Sequence, residues 1–177
     1  FYSCFNGLDC NPSHLNLFQR TPRIEGLINK ADIIYVGGGN TKSMLAVWKE
    51  WKLDKLLFKA YNEGTVLAGV SAGAICWFDT GITDSWASNL NYIDCLGILP
   101  GSCCPHYDSE KDRRPSVHKF IEHEKIKSVY AIEDGAAIHF VDDAPYKNIS
   151  FFKNSKVFFV DKQNSIVQEK PQKMVSI

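Results

Sequence analysis

Gly69-Val70-Ser71-Ala72-Gly73 has the G-x-S-x-G spacing of a nucleophile elbow, in which a sharp strand-to-helix turn carries a serine. The glycines on either side of such a serine are steric. A strained turn brings the flanking backbone close together, and side chains there would collide. The turn lifts the Ser71 hydroxyl above the strand end and leaves the backbone N–H of Ala72 at a helix N-terminus. Unpaired N–H groups and the helix dipole at that position favour a developing oxyanion. The competing reading is a glycine-rich turn whose only role is tight packing. A second cluster, Gly37-Gly38-Gly39-Asn40-Thr41, follows another apolar run and falls on the same sheet edge. It lacks the G-x-G-x-x-G spacing and the Gly-Lys-Ser/Thr ending of phosphate loops. It suits instead a close backbone approach to a carbonyl, with Gly39 as second oxyanion donor and Asn40 as a candidate substrate contact.

A serine nucleophile needs a base within hydrogen-bond reach and a third group to orient that base. Of the five histidines, His106 is the candidate, because it sits in a loop directly after Pro105, which fixes the backbone before it. His14 falls in an irregular N-terminal stretch, His118 and His123 on a polar helix, and His139 inside an apparent strand. The orienting acid has four candidates at this level, Asp84, Asp108, Glu133 and Asp134. The last two immediately follow a buried strand.

The elements that must position these groups follow from the apolar pattern. Ile33 to Val36 and Val66 to Val70 are short apolar runs ended by glycines, as in buried parallel strands. Between them, Met44, Leu45, Trp48, Trp51, Leu53, Leu56, Leu57 and Ala60 recur at helical spacing up to a stop at Asn62-Glu63-Gly64. A strand, helix, strand unit of this length requires a right-handed crossover between parallel strands. Ser128 to Ile132 reads as a third parallel strand, preceded by a polar helix from Pro115 to Lys125. A short helix is expected near Arg23 to Asn29 and another at Ala74 to Phe78. From Ala136 onward, short runs separated by Asp142-Asp143, Asn154-Ser155 and Asn164-Ser165 read as a β-meander. The fold class is therefore α/β, a mostly parallel sheet flanked by helices with antiparallel strands at its C-terminal edge.

With 177 residues, 20 basic against 20 acidic side chains and 45% hydrophobic residues, the chain can build one domain with a sizeable core. Zero net charge offers no field for a nucleic-acid backbone, and no apolar run reaches the ~18 residues that span a bilayer. Cys4, Cys10, Cys76, Cys95, Cys103 and Cys104 contain no Cys-x-x-Cys pair and read as reduced thiols of a cytoplasmic protein. A metal site of Cys103, Cys104 and His106 is disfavoured, since adjacent cysteines rarely turn toward one ion.

Three segments together, Tyr35-Val36-Gly37-Gly38-Gly39-Asn40-Thr41, Ala68-Gly69-Val70-Ser71-Ala72-Gly73-Ala74 and Pro105-His106-Tyr107, resemble the peptidase E family of serine peptidases. That family includes aspartyl dipeptidase and, more distantly, cyanophycinase. The resemblance runs from about residue 31 to residue 141 and implies a class I glutamine amidotransferase-like fold. It places the nucleophile on Ser71, the base on His106 and the orienting acid on Glu133, with Asp134 one residue away and Asp84 as a further candidate. It implies hydrolysis of dipeptides or short peptides without metal or organic cofactor. An acidic-residue preference would need local cations, for which Arg113 and Arg114 are the candidates. Family members carry a strand region before the first matching segment, so residues 1–177 are expected to form a single domain lacking an N-terminal segment. The expected partner is a small peptide, with a homodimer left open. A catalytically inactive interaction protein on the same fold is the alternative.

Overall fold

The computed structural model describes residues 1–21 and 23–176. Two short helices, α1 (Tyr2–Phe5) and α2 (Ile24–Ile28), precede β1 (Ile33–Val36). The expected long helix is two, α3 (Thr41–Glu50) and α4 (Leu53–Asn62), broken where Lys52 adopts φ 55°. The break lets both halves bury an apolar face: Leu45 and Trp48 from one, Leu53, Leu57 and Ala60 from the other. Asn40 caps α3, its Oδ1 accepting from Ser43 N–H at 2.9 Å.

Strand β2 (Val66–Gly69) pairs parallel with β1. Helix α5 (Ala72–Ile75) follows and ends earlier than expected, and Phe78 begins a strand instead of closing that helix. The chain continues through β3 (Phe78–Thr83), β4 (Asn91–Asp94), β5 (Leu99–Cys104), α6 (Arg113–Glu122) and β6 (Ser128–Ile132). It then forms β7 (Ala136–Val141), β8 (Ala144–Ser150), β9 (Val157–Gln163), β10 (Ile166–Pro171) and β11 (Met174–Ser176).

The large central sheet has the order β10-β9-β6-β5-β3-β4. Its middle, β6-β5-β3, is parallel, and β4, β9 and β10 flank it antiparallel. Strands β1 and β2 form a separate pair, and β7 and β8 form a third sheet with β11. The three parallel strands read from the sequence therefore do not share one sheet, and the expected meander is divided. β9 returns to β6 while β7-β8 stands apart, because Val157 and Val160 are wholly buried against the core whereas most of β8 is exposed.

One apolar cluster lies between α3, α4, α5 and the starts of β3 and β5, and a second between α6, β5, β6 and β9. Close packing of α5 on β1-β2 depends on two glycines. A Cβ on Gly73 would fall 2.0 Å from the Val36 carbonyl oxygen, and one on Gly69 2.2 Å from the Gly73 carbonyl oxygen. No helix among the described residues is long and apolar enough to cross a membrane.

Candidate active site

The C-terminal ends of β2, β5 and β6 converge, and each delivers one polar side chain. Beyond β2, Ser71 adopts φ 55° and ψ −117°, a backbone conformation that costs an ordinary residue about 1–3 kcal/mol. The close approach of α5 to β1-β2, which only glycine at 69 and 73 permits, shapes the turn that carries it. Beyond β5, His106 also has φ 55°, and the next residue hydrogen-bonds to the end of β6 through Tyr107 N–H to Ile132 C=O at 3.1 Å. This brings His106 over the turn that leaves β6. Ser71 Oγ lies 3.0 Å from His106 Nε2, and His106 Nδ1 lies 2.7 Å from Asp134 Oδ1.

The carboxylate on His106 is therefore that of Asp134, and the Glu133 expectation is corrected. Parallel register pairs Cys104 with Ala131, which would set His106 opposite Glu133 if both chains stayed extended. They do not. Glu133 still follows the β9 ladder, its N–H donating to Lys156 C=O at 3.0 Å, and its Oε2 accepts from Lys156 N–H at 2.8 Å. The other Glu133 oxygen faces Arg114 at 3.9 Å. The chain turns at the next residue, where Ala136 N–H donates to Glu133 C=O, and the turn swings Asp134 toward His106. Gly135 at φ 76° makes the turn possible, and a Cβ there would strike the Phe152 ring at 2.2 Å. Asp134-Gly135 is a turn dipeptide, the signal in the sequence that marks Asp134 as the residue leaving the strand.

Asp134 is itself held from three sides. Asp108 Oδ1 accepts its N–H at 2.9 Å, and Ser155 Oγ donates to its carbonyl at 2.6 Å. The Ser109 hydroxyl is the main influence holding its carboxyl below the usual aspartate range; burial opposes it, and the His106 ring adds to the lowering. Asp108, an orienting candidate in the sequence, thus positions Asp134 without touching the ring. Asp84 is exposed on the loop after β3.

The glycine-rich loop after β1 meets Ser71 from the other side. A Cβ on Gly38 would lie 3.2 Å from Ser71 Cβ, so Gly38 is the glycine in contact. Gly39 has φ 147° and open space around it. The backbone N–H groups of Gly39 and Ala72 have no acceptor among the described residues.

Three expected substrate contacts are engaged elsewhere. Asn40 is consumed by the α3 cap and by a hydrogen bond from its Nδ2 to Ser85 C=O at 2.6 Å. Arg113 is buried, donating to Glu110 Oε2 at 2.8 Å and to Ile82 C=O at 2.9 Å. Arg114 pairs with Glu169 and stacks over the Tyr107 ring at 4.5 Å. Both arginines start α6; Arg113 meets the nearby Glu110 carboxylate, and Arg114 meets that of Glu169, distant in sequence. Glu169 also takes hydrogen bonds from Tyr107 and His118, the latter at 2.6 Å. Burial raises its carboxyl, but these donors and Arg114 outweigh it and hold Glu169 below the usual glutamate range.

Ser71, His106 and Asp134 open into a cavity of about 870 Å³ that runs along β2, with Leu67, Trp77, Phe78, Leu99 and Phe140 among its apolar walls. Ser71, His106 and a carboxylate in one hydrogen-bonded line, with the unpaired N–H of Ala72 on the next residue, is an arrangement that acyl transfer can use.

Residues 1–146 match the model of peptidase family S51. The chain belongs to peptidase family S51. It is by family a serine-type peptidase. It is 49% identical over 161 residues to the uncharacterized peptidase YgaJ of Bacillus subtilis (strain 168), covering 90% of this chain and 70% of that protein. It is 31% identical over 130 residues to peptidase E of Pasteurella multocida (strain Pm70), covering 68% of this chain and 56% of that protein. The S51 chain thus spans little more than half the length of that peptidase E. A crystal structure provisionally described as a peptidase E protein of Listeria monocytogenes EGD-e superimposes with a TM-score of 0.50 at 23% identity, covering 85% of this chain and 64% of that one. That likeness concerns the fold.

Proposed function

We propose that this S51 chain hydrolyses short peptides by acyl transfer to Ser71. His106 Nε2 takes the hydroxyl proton as Ser71 Oγ attacks the scissile carbonyl. The N–H groups of Ala72 and the Gly38-Gly39 loop receive the oxyanion, and His106 returns the proton to the leaving amine. Water, activated by the same ring, then releases the acyl group. Asp134 fixes the ring so that Nε2 is the unprotonated nitrogen facing Ser71 and stabilises the imidazolium as it forms. The fold is read as a variant of the class I glutamine amidotransferase-like architecture.

The observation that carries the reading is the 3.0 Å approach of Ser71 Oγ to His106 Nε2 at a serine held at positive φ. A merely structural elbow has no need of both. The test is hydrolysis of a dipeptide and short-peptide library by the purified protein with Ser71→Ala as control. Cleavage lost in the variant supports the reading. Cleavage retained in the variant refutes Ser71 as the nucleophile, and absence of cleavage by the wild type refutes the reading and favours an inactive interaction protein. Acidic preference is weakened as an expectation, because Arg113 and Arg114 are both engaged with carboxylates of the protein itself.

A further inference from the structure

The side chains of His106 and Asp134 are 26% and 46% exposed, whereas the residues beside them are not: Tyr107, after the ring, is buried, and the Glu133 side chain, before the carboxylate, is 14% exposed. Packing on the ring itself is therefore sparse, yet His106 sits at φ 55°, a conformation that persists only where the surroundings over-determine it. The holding contacts fall on the neighbours, and they meet at one carboxylate. Glu169 comes from β10, at the edge of the central sheet opposite β4. Its Oε1 accepts from the Tyr107 hydroxyl and faces His118 Nε2 at 2.6 Å, and its Oε2 accepts from Arg114. Arg114 lies over the Tyr107 ring at 4.5 Å and the Phe158 ring at 5.2 Å, and its other terminal nitrogen faces Glu133 Oε1 at 3.9 Å. Burial, and then the hydrogen bond to Glu169, push the Tyr107 phenol up, so it stays protonated and donates. Tyr107, Arg114, His118 and Glu169 do not line the cavity beside Ser71.

We propose that Glu169 is a positioning residue for the His106 base: it clamps Tyr107 directly and through the stacked Arg114, and so fixes the turn that aims His106 Nε2 at Ser71. The inference rests on Ser71 and His106 acting as nucleophile and base. Tyr107 is tied at both ends, its N–H to Ile132 C=O and its hydroxyl to Glu169, and the residue before it inherits that placement. The clamp needs a carboxylate. Three donors from two segments converge on it, and an ionised carboxyl offers two acceptor oxygens and no competing proton. A carboxamide at 169 keeps one oxygen and turns an NH2 donor against either Arg114 or the Tyr107 and His118 pair, so one side of the clamp opens. The looser contact of Arg114 with Glu133 is secondary, and a carboxamide at 133 would still offer Arg114 an oxygen. Displacing the ring by an ångström costs ~10²-fold in rate, and it leaves substrate binding alone because the clamp lies outside the cavity.

The test compares Glu169→Gln, Tyr107→Phe and Ile121→Val in the full chain, each well below its Tm. Ile121→Val trims the apolar cluster beneath α6 and lowers stability without touching the clamp. Two rates are read, kcat on a fluorogenic short peptide and the rate constant for Ser71 labelling by a fluorophosphonate. Glu169→Gln should lose ~10²-fold in both with KM within about twofold of wild type, Tyr107→Phe should lose several-fold, and Ile121→Val should match wild type. In proton NMR, the far-downfield resonance of the proton between His106 Nδ1 and Asp134 should broaden or vanish in Glu169→Gln while the dispersed methyl signals of a folded protein remain. Wild-type rates in a folded Glu169→Gln protein, or an equal loss in Ile121→Val, overturn the clamp and leave Ser71 as nucleophile. A raised KM with unchanged kcat also overturns it, because the cluster would then be binding substrate. Where Glu169→Gln does not fold, Tyr107→Phe decides by the same two rates, a loss supporting the clamp and wild-type values overturning it. An unlabelled wild type overturns the nucleophile on which the clamp rests.

Discussion

The substitution Asp134→Asn is the sharpest perturbation of the candidate site, because the backbone anchors from Asp108 and Ser155 do not involve the carboxylate. The new carboxamide would remain within reach of His106 Nδ1, but its amide group can donate there. A donating amide favours the tautomer with the proton on Nε2, and such a ring can no longer accept the Ser71 hydroxyl proton. The carboxylate side chain is 46% exposed, so water screens its charge more than in a buried pair. We expect a loss of ~10²–10³-fold in kcat/KM, below the ~10⁴ of a buried orienting acid, or about 3–4 kcal/mol of transition-state stabilisation. Asp134 is held below the usual aspartate range, chiefly by the Ser109 hydroxyl, so the carboxylate form that orients the ring is favoured at the neutral pH of the assay. The matched control is Glu133→Gln, which keeps an acceptor for Lys156 N–H and should stay within about threefold of wild type. The assay is initial-rate hydrolysis of a fluorogenic short peptide, with Tm measured for each protein. Full activity in the Asp134→Asn protein beside a dead Glu133→Gln protein would refute the assignment and restore Glu133.

Other expectations follow from the same geometry. Ser71→Gly should remove activity yet raise stability by about 1 kcal/mol, a Tm gain of about 2–4 °C, because glycine adopts φ 55° without strain. Gly73→Ala should cost more than about 3 kcal/mol or prevent folding, since its Cβ would meet backbone on β1 that no side-chain rotation can move, and thermal unfolding reads this directly. Glu169→Gln should destabilise by about 1–3 kcal/mol at pH 7. Its folded-state carboxyl is held low, so the stability it supplies is present above the ordinary glutamate range and lost as pH falls through the lower folded value. Denaturant melts at descending pH should show the two proteins converging in acid, and a gap that widens there would contradict the assignment.

How far the sequence reaches depends on whether a feature is local. Ser71 is legible because the strand, the elbow glycines and the helix start are contiguous, and His106 because Pro105 and the preceding run fix a loop at a strand end. Glu133 and Asp134 are separated by one local signal, the Asp134-Gly135 turn dipeptide, while the packing of Phe152 against Gly135 that closes the turn is long-range and not legible. The arginines of α6 illustrate the same limit. Apart from Glu110, three residues before Arg113, their partners Ile82, Glu133 and Glu169 come from other parts of the chain, and nothing adjacent to Arg113 or Arg114 announces them. The start of β3 is legible only as the end of a helix, because Asp79, Thr80 and Gly81 interrupt any apolar alternation. The division into three sheets rests on the pairing of β9 with β6, a long-range choice that local pattern does not encode.

The central claim is that Ser71 is an activated nucleophile, and covalent labelling tests it most directly. Incubation of the purified protein with a fluorophosphonate, followed by intact-mass measurement and peptide mapping, should give a single adduct on Ser71, with labelling slowed at least about 100-fold in His106→Ala. An unlabelled protein, an adduct on another residue, or labelling of Ser71 that is indifferent to His106 would contradict the account.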